Sequence, residues 1–205
     1  MELAATAFVT LFVIIDPIGL APLFVALTRG MTPAQRRLVG LRALAIAFGV
    51  LAVFGIAGEA LLGAIGIGMA AFRIAGGLLL FLTAVDMLFE RRQPRREKNA
   101  HMDDALPDPT VFPLATPLIA GPGALATMIL LVGQHPGDYA AQATVYAMML
   151  AVLAITFGFF LAGNLIERGL GATGINVVTR LLGMLLAALA VQFVLEGLRD
   201  FGLGT

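Results

Sequence analysis

Along this chain apolar residues do not alternate with polar ones; they run on. Six stretches approach the roughly 20 residues a helix needs to cross a bilayer: residues 3–27, 41–62, 69–89, 111–133, 140–166 and 175–198. The first and fourth contain prolines and the other four contain none. The connections are short except 90–110, ERRQPRREKNAHMDDALPDPT. Its density of charge and proline predicts a solvated, mobile linker. The expected fold is therefore an all-α integral membrane protein with six transmembrane helices. Residues 1–90 and 111–205 would form two three-helix units, joined by the charged linker 91–110.

Composition agrees with the pattern. Of 205 residues, 60% are hydrophobic and 13% charged, and mean hydropathy is +0.96. A soluble domain carries about 25% charged residues, and half that number cannot cover a water-facing surface. Net charge is zero, so no basic field points to nucleic acid. Cys is absent, and His101 and His135 fall in separate polar connections. No thiolate or histidine metal site, and no cysteine nucleophile, is expected. Met1-Glu2 is followed by neither a basic region nor a small-residue cleavage site, so no removable leader is expected.

Arginine and lysine give an orientation. Arg29, Arg36, Arg37 and Arg42 surround the first loop; Arg91, Arg92, Arg95, Arg96 and Lys98 fill the third; Arg168 lies in the fifth. The second and fourth loops have none. Because basic residues collect on the cytoplasmic side, both termini are expected outside and the 90–110 loop inside.

The two halves resemble each other. At an offset of 105, PIGLA (17–21) lies over PGALA (122–126), and FGIAGEALLGAIG (54–66) over FFLAGNLIERGLG (159–171). With two residues inserted, Arg73 falls on Arg180 and Gly76 on Gly183. The register places three helices on three helices and proline-broken helix on proline-broken helix. Three spans per unit is an odd number, so the second unit would be inverted relative to the first. Inverted repeats recur in secondary transporters.

The breaks carry the candidate chemistry. Asp16-Pro17 has the composition of a helix start, since Asp is a good N-cap and Pro suits the first helical position. One half-helix is expected to end near Ile15 and another to begin at Pro17, near mid-membrane, with Gly19 permitting close backbone approach or an unusual dihedral. In TPLIAGPGALAT (116–127), Gly121-Pro122-Gly123 repeats this logic without the acid, since Gly121 falls on Asp16. Irregular backbone at membrane depth is tolerated only where protein or a wet cavity covers it. Two helix N-termini would meet there and favour a carboxylate. Loose carbonyls and Asp16 would favour a cation, a proton or an ammonium. A zwitterion fits such a centre. The expected substrate site is Asp16, Pro17, Ile18 and Gly19 with Gly121, Pro122, Gly123 and Ala124; Asp16, Thr116 and Thr127 are the ion-coupling candidates. Thr hydroxyls also bond their own helix, and Asp16 can be a cap alone.

At these residues the sequence resembles the MarC family. The specific marks are DPIGLAPLF (16–24), PLATPLIAGPGALAT (113–127) and six spans with a long charged central loop. The resemblance covers essentially the whole chain and implies a distant likeness to LysE-type exporters. It also implies movement of glycine, alanine and similar amino acids on a sodium or proton gradient. Leu20 departs from the family pattern, which usually has Asn there; a changed substrate or affinity would follow if that amide touches substrate.

Other charges have two readings each. Arg73 and Arg180 would either gate the two vestibules, with Glu59 and Glu167 as partners, or snorkel to their interfaces. Asp86, Glu90 and Glu196 suit boundary positions. Gly55, Gly58, Gly63, Gly66, Gly76 and Gly77 suit close helix contacts. The leading expectation is a secondary active transporter of small neutral amino acids in a bacterial inner membrane, coupled to sodium or protons and working by alternating access. No cofactor or metal is expected beyond the coupling ion. The expected partners are a zwitterionic amino acid and the lipid bilayer, with homo-oligomerisation left open. The alternatives are an exporter of drugs or other small metabolites and a non-transporting membrane scaffold. An enzyme is not expected, because no nucleophile–base pair or ligand cluster lies at one depth.

Overall fold

A computed structural model describes residues 2–89 and 109–202, with the side chains of residues 167 and 168 left aside. Every regular element among the described residues is helical: α1 (Glu2–Ile15), α2 (Pro17–Leu27), α3 (Pro33–Ala64), α4 (Met69–Leu88), a wide-turn segment (Thr110–Ile119), α5 (Pro122–Gly133), α6 (Tyr139–Leu161) and α7 (Gly163–Asp200). The linker expected at 91–110 lies almost wholly outside the described residues.

Local sequence explains where these helices start. Pro17, Pro33 and Pro122 each open one, at a position whose N–H would have no helical partner. Thr32 and Gln35 close a capping box at the head of α3, and the Asp138 carboxylate accepts from the Ala141 N–H at the head of α6. Gly171, at φ +61°, interrupts α7; the stretch Gly169–Asp200 is long and apolar enough to cross a bilayer. Five spans are long and apolar enough to cross a bilayer, with α1 and α2 together counted as one. The segment Thr110–Ile119 and α5, bent by 58°, make a sixth if they form a single span.

The expected boundaries therefore shift. The second span begins at Pro33 rather than residue 41, and the sixth is continuous back to Gly163 apart from the Gly171 break. The largest departure precedes the second break, where a half-helix is expected. Thr110–Ile119 is instead a coil with five-residue hydrogen bonds, Leu114 N–H to Pro109 O (3.2 Å) and Ala120 N–H to Ala115 O (2.9 Å). Phe112 and Thr116 are extended within it, each preceding a cis proline, Pro113 and Pro117. Two prolines four residues apart remove two amide donors, so an α-helical ladder cannot run through them.

Burial sorts the spans. In the first span 67% of the membrane-length window is buried, against 28% to 33% in the spans formed by α3, α4, α6 and α7. The interrupted first span is thus in the middle, and α5 joins it there with an unbroken buried run from Ala126 to Val132. The outer helices expose large apolar side chains such as Ile56, Leu82, Leu165 and Met184. In hydrocarbon such a surface is the solvated one.

Glycines set the closest helix contacts. A Cβ on Gly77 would stand 2.8 Å from the Ala190 carbonyl oxygen, one on Gly183 3.3 Å from that of Ala84, and one on Gly197 3.0 Å from that of Ala70. As numbers rise along α4 they fall along α7, so the pair is antiparallel. Gly77→Ala is expected to destabilise by about 1–3 kcal/mol, because backbone has to move to admit the methyl. Gly49→Ala, with nothing within 4 Å of the added Cβ, is expected to stabilise by about 0.5–1 kcal/mol through helix propensity. Thermal unfolding in detergent checks both, and equal melting temperatures would contradict the contact.

Candidate functional site

The first break is built around one residue. The Asp16 N–H donates to the Phe12 carbonyl at 2.9 Å, so α1 runs its ladder up to Asp16. Asp16 then turns into the left-handed region at φ +57°, ψ +66°. Its carboxylate Oδ1 accepts the Gly19 N–H at 3.0 Å, and its carbonyl accepts from Leu20 at 3.0 Å. One aspartate therefore ends α1 in a left-handed cap and starts α2 as its N-cap. Asp is among the few side chains that tolerate this dihedral. Of the two roles open to Gly19, the unusual dihedral falls to Asp16; Gly19 is helical and supplies the capped N–H. Asp16 is 0% exposed, and Pro17, Gly19, Leu20 and Ala21 are buried with it, while Ile18 is half-buried.

At the second break Gly121 is extended (φ −81°, ψ +171°) and caps α5 without a side chain. A Cβ there would lie 2.6 Å from the Pro117 carbonyl oxygen. Gly121 is thus required by a backbone approach, not by its dihedral. This break is less enclosed than the first: Pro122 is exposed and Gly121, Gly123 and Thr116 are half-buried, whereas Ala124 is buried.

The two breaks touch. A Cβ on Gly123 would meet Ile14 Cδ1 at 2.8 Å and Leu80 Cδ2 at 3.7 Å. Ile14 is two residues before Asp16, so the start of α5 lies against the end of α1. Both breaks share a backbone consequence. The helical donors for the Val13 and Leu118 carbonyls would be residues 17 and 122, and both are prolines with no N–H. Each break thus denies one carbonyl an α-helical donor.

The threonines are partly engaged. The Thr127 hydroxyl, fully buried, donates to the Gly123 carbonyl at 2.8 Å, and Thr116 donates to Val111 O at 3.2 Å. The Thr127 bond ties that side chain to the break itself. Thr10, one and a half turns before Asp16, is a further buried hydroxyl whose Oγ1 has no hydrogen-bond partner among the described residues. It is legible in the sequence as the sole polar side chain between Glu2 and Asp16 besides Thr6.

The charges singled out as gates are not gathered here. Arg73 pairs with Asp200, at the end of α7, rather than with Glu59. The antiparallel register of α4 and α7 makes that choice, because it brings the head of α4 to the tail of α7. Glu59 and Arg180 are exposed on their helices, and the side chain of Glu167 lies outside the described residues. No cluster of three His, Asp or Glu side chains forms among the described residues.

Comparison with known proteins agrees over nearly the full length. The model of a family described as MarC family integral membrane protein matches residues 1–201. Membrane protein YvbG of Bacillus subtilis is 37% identical over 199 residues, covering 94% of this chain and 92% of its own. Inner membrane protein YhgN of Escherichia coli is 38% identical over 194 residues, covering 95% of each. A membrane protein of Archaeoglobus fulgidus is 37% identical over 199 residues, covering 95% and 91%. No solved structure matches.

Proposed function

The chain belongs to the MarC family of integral membrane proteins, and from that premise we propose that it is a secondary active transporter of small neutral amino acids. The observation that carries this reading is the meeting of two interrupted spans beside a buried aspartate. A helix N-terminus offers N–H groups and a positive dipole end to a carboxylate. The carbonyls denied a helical donor by Pro17 and Pro122, with the Asp16 carboxylate, offer oxygen to an ammonium or a sodium ion. The residues at the breaks are small or apolar (Ile18, Gly19, Gly121, Gly123, Ala124), which suits a small, largely apolar amino acid side chain. An intramembrane acid is by default a functional group, because its burial costs too much to be kept idly.

Alternating access is proposed to arise from two inverted halves. Reciprocal packing supports it: Gly58 of α3 lies against Ile129 of α5, and Gly163, its counterpart at the offset of 105, lies against Val25 of α2. The unequal exposure of the two breaks is what a state open to one side would have. The E. coli relative is named an inner membrane protein. We extend that location to this chain, with both termini outside and the 90–110 loop cytoplasmic by the distribution of arginine.

Purified protein in liposomes loaded with unlabelled glycine or alanine is expected to accumulate the labelled amino acid by counterflow. Separate sodium and pH gradients then identify the coupling ion. Absence of counterflow for both amino acids, with no uptake under either gradient, would remove the substrate assignment.

A further inference from the structure

Away from the breaks, the loop after α2 and the head of α3 enclose a cleft that the transport reading does not use. Its larger lobe, about 530 Å³, is lined by Thr28, Arg29, Arg36 and Asn164 among others. A smaller lobe, about 250 Å³, shares Met31, Arg36 and Asn164 and adds Arg37, Phe160 and Leu161. Among the described residues no Asp or Glu lines either lobe.

The guanidinium of Arg36 is held in place. Its Nε donates to Thr28 Oγ1 at 2.9 Å, and that hydroxyl donates to the Phe24 carbonyl at 2.7 Å. The same guanidinium carbon lies 5.8 Å from the Phe24 ring centroid, and Phe24 stacks on Phe160 at 4.3 Å and 5°. An arginine fixed at one edge and one face keeps its remaining donors pre-organised for a bidentate acceptor. Among the described residues Arg29, Arg36 and Arg37 have no carboxylate partner. Arg36 and Arg37 also sit near the N-terminal end of a 32-residue helix that has no acid in its first turn. Basic residues there oppose the helix dipole. Cytoplasmic orientation explains why arginines are on this side, but not why three of them line one cleft.

We propose that this cleft binds a phosphate-bearing anion, and that its source is the headgroup of an anionic phospholipid. A zwitterionic amino acid is disfavoured, since the described lining offers an ammonium no carboxylate. Lipid is favoured over free phosphate because the smaller lobe is walled by Leu161, which is 50% exposed on the apolar outer surface. Leu38 and Leu41, exposed just past Arg37, continue that surface, so a headgroup in the cleft would leave its acyl chains in hydrocarbon. Basic pockets at helix ends on this side of a membrane are suited to such headgroups.

The test is native mass spectrometry and thermal unfolding of the delipidated full chain in detergent. The probes are phosphatidylglycerol, phosphatidylethanolamine and inorganic phosphate. Phosphatidylglycerol is expected to remain bound and raise the melting temperature, while phosphatidylethanolamine does neither. Arg29→Gln and Arg36→Gln are each expected to weaken phosphatidylglycerol about five- to tenfold. The Arg29 side chain makes no hydrogen bond or ion pair among the described residues, so its variant separates binding from folding. Arg42→Gln, outside the lining, is expected to leave binding unchanged. If inorganic phosphate competes with the lipid at equal strength, the site stands and free phosphate is its source. Loss of binding in Arg42→Gln equal to that in Arg29→Gln would reduce the effect to general surface charge and overturn the site. No preference for phosphatidylglycerol together with no response to phosphate would overturn it as well.

Discussion

Asp16→Asn is expected to fold and to lose transport. Asn caps helices as well as Asp does, and it is similarly tolerant of the left-handed region that Asp16 occupies. The amide oxygen can still accept the Gly19 N–H. What disappears is the negative charge. Hydrogen bonds to charged groups contribute about 1.5–3 kcal/mol, so an ammonium or sodium ion held by Asp16 would bind roughly ten- to a hundredfold more weakly without it. Asp16→Ala adds loss of the cap and of dihedral tolerance, and is expected to lower stability by about 1–2 kcal/mol. Melting temperature and counterflow measured on the same preparations separate the two effects. Full activity in Asp16→Asn would make the aspartate a cap and nothing more.

Gly121→Ala and Gly123→Ala are expected to differ although they flank one proline. At Gly121 the added carbon would meet the Pro117 carbonyl oxygen at 2.6 Å. That atom is backbone and cannot rotate aside, so the 58° bend has to open. A loss of about 1–3 kcal/mol is expected, with transport abolished because the start of α5 moves. At Gly123 the obstacle is the far end of Ile14, 2.8 Å away. Ile14→Val deletes that methyl group and is expected to rescue Gly123→Ala, with a coupling of about 0.5–3 kcal/mol in a double-mutant cycle. The same substitution is expected to do nothing for Gly121→Ala. A cycle with no coupling would mean that the two breaks do not touch as described.

The pattern of rescue matters because sequence leads one to expect that the breaks meet but not which atoms bring them together. Pro17 and Pro122 announce helix starts by covalent chemistry, and Asp16 announces a cap by an interaction three residues long. Such features are local, so they are legible one segment at a time. Glycine is the more permissive residue, so an unusual dihedral is one of the two roles the sequence leaves open to Gly19. The structure places it at Asp16 because α1 and α2 meet at that single residue, leaving Gly19 inside the second helix. Pro113 and Pro117 exclude an α-helix just as locally, but the wide-turn shape of Thr110–Ile119 depends on what packs around it.

Charges show the same division. Glu59, a candidate partner for Arg73 in the gating reading, is 14 residues away in sequence, whereas the observed partner Asp200 is 127 residues away. Neighbourhood in sequence is a poor guide once helices pair antiparallel, and the α4–α7 register is set by glycines whose contacts are themselves long-range. Arg36 is similar. Its role in orienting the chain could be read from charge alone, but its fixed position over Phe24 requires Phe160 from α6 to hold that ring.

By itself the sequence determined that this is a helical membrane protein, which spans are interrupted, and which residues cap the interruptions. Those properties follow from hydrophobic length, missing amide donors and short-range hydrogen bonds. Only the tertiary structure decided that Ile14 and Gly123 make the contact between the interruptions, that Asp16 is enclosed while Pro122 is exposed, and that Arg73 reaches Asp200. Each of these depends on which helix faces lie together, and van der Waals packing between distant segments settles that.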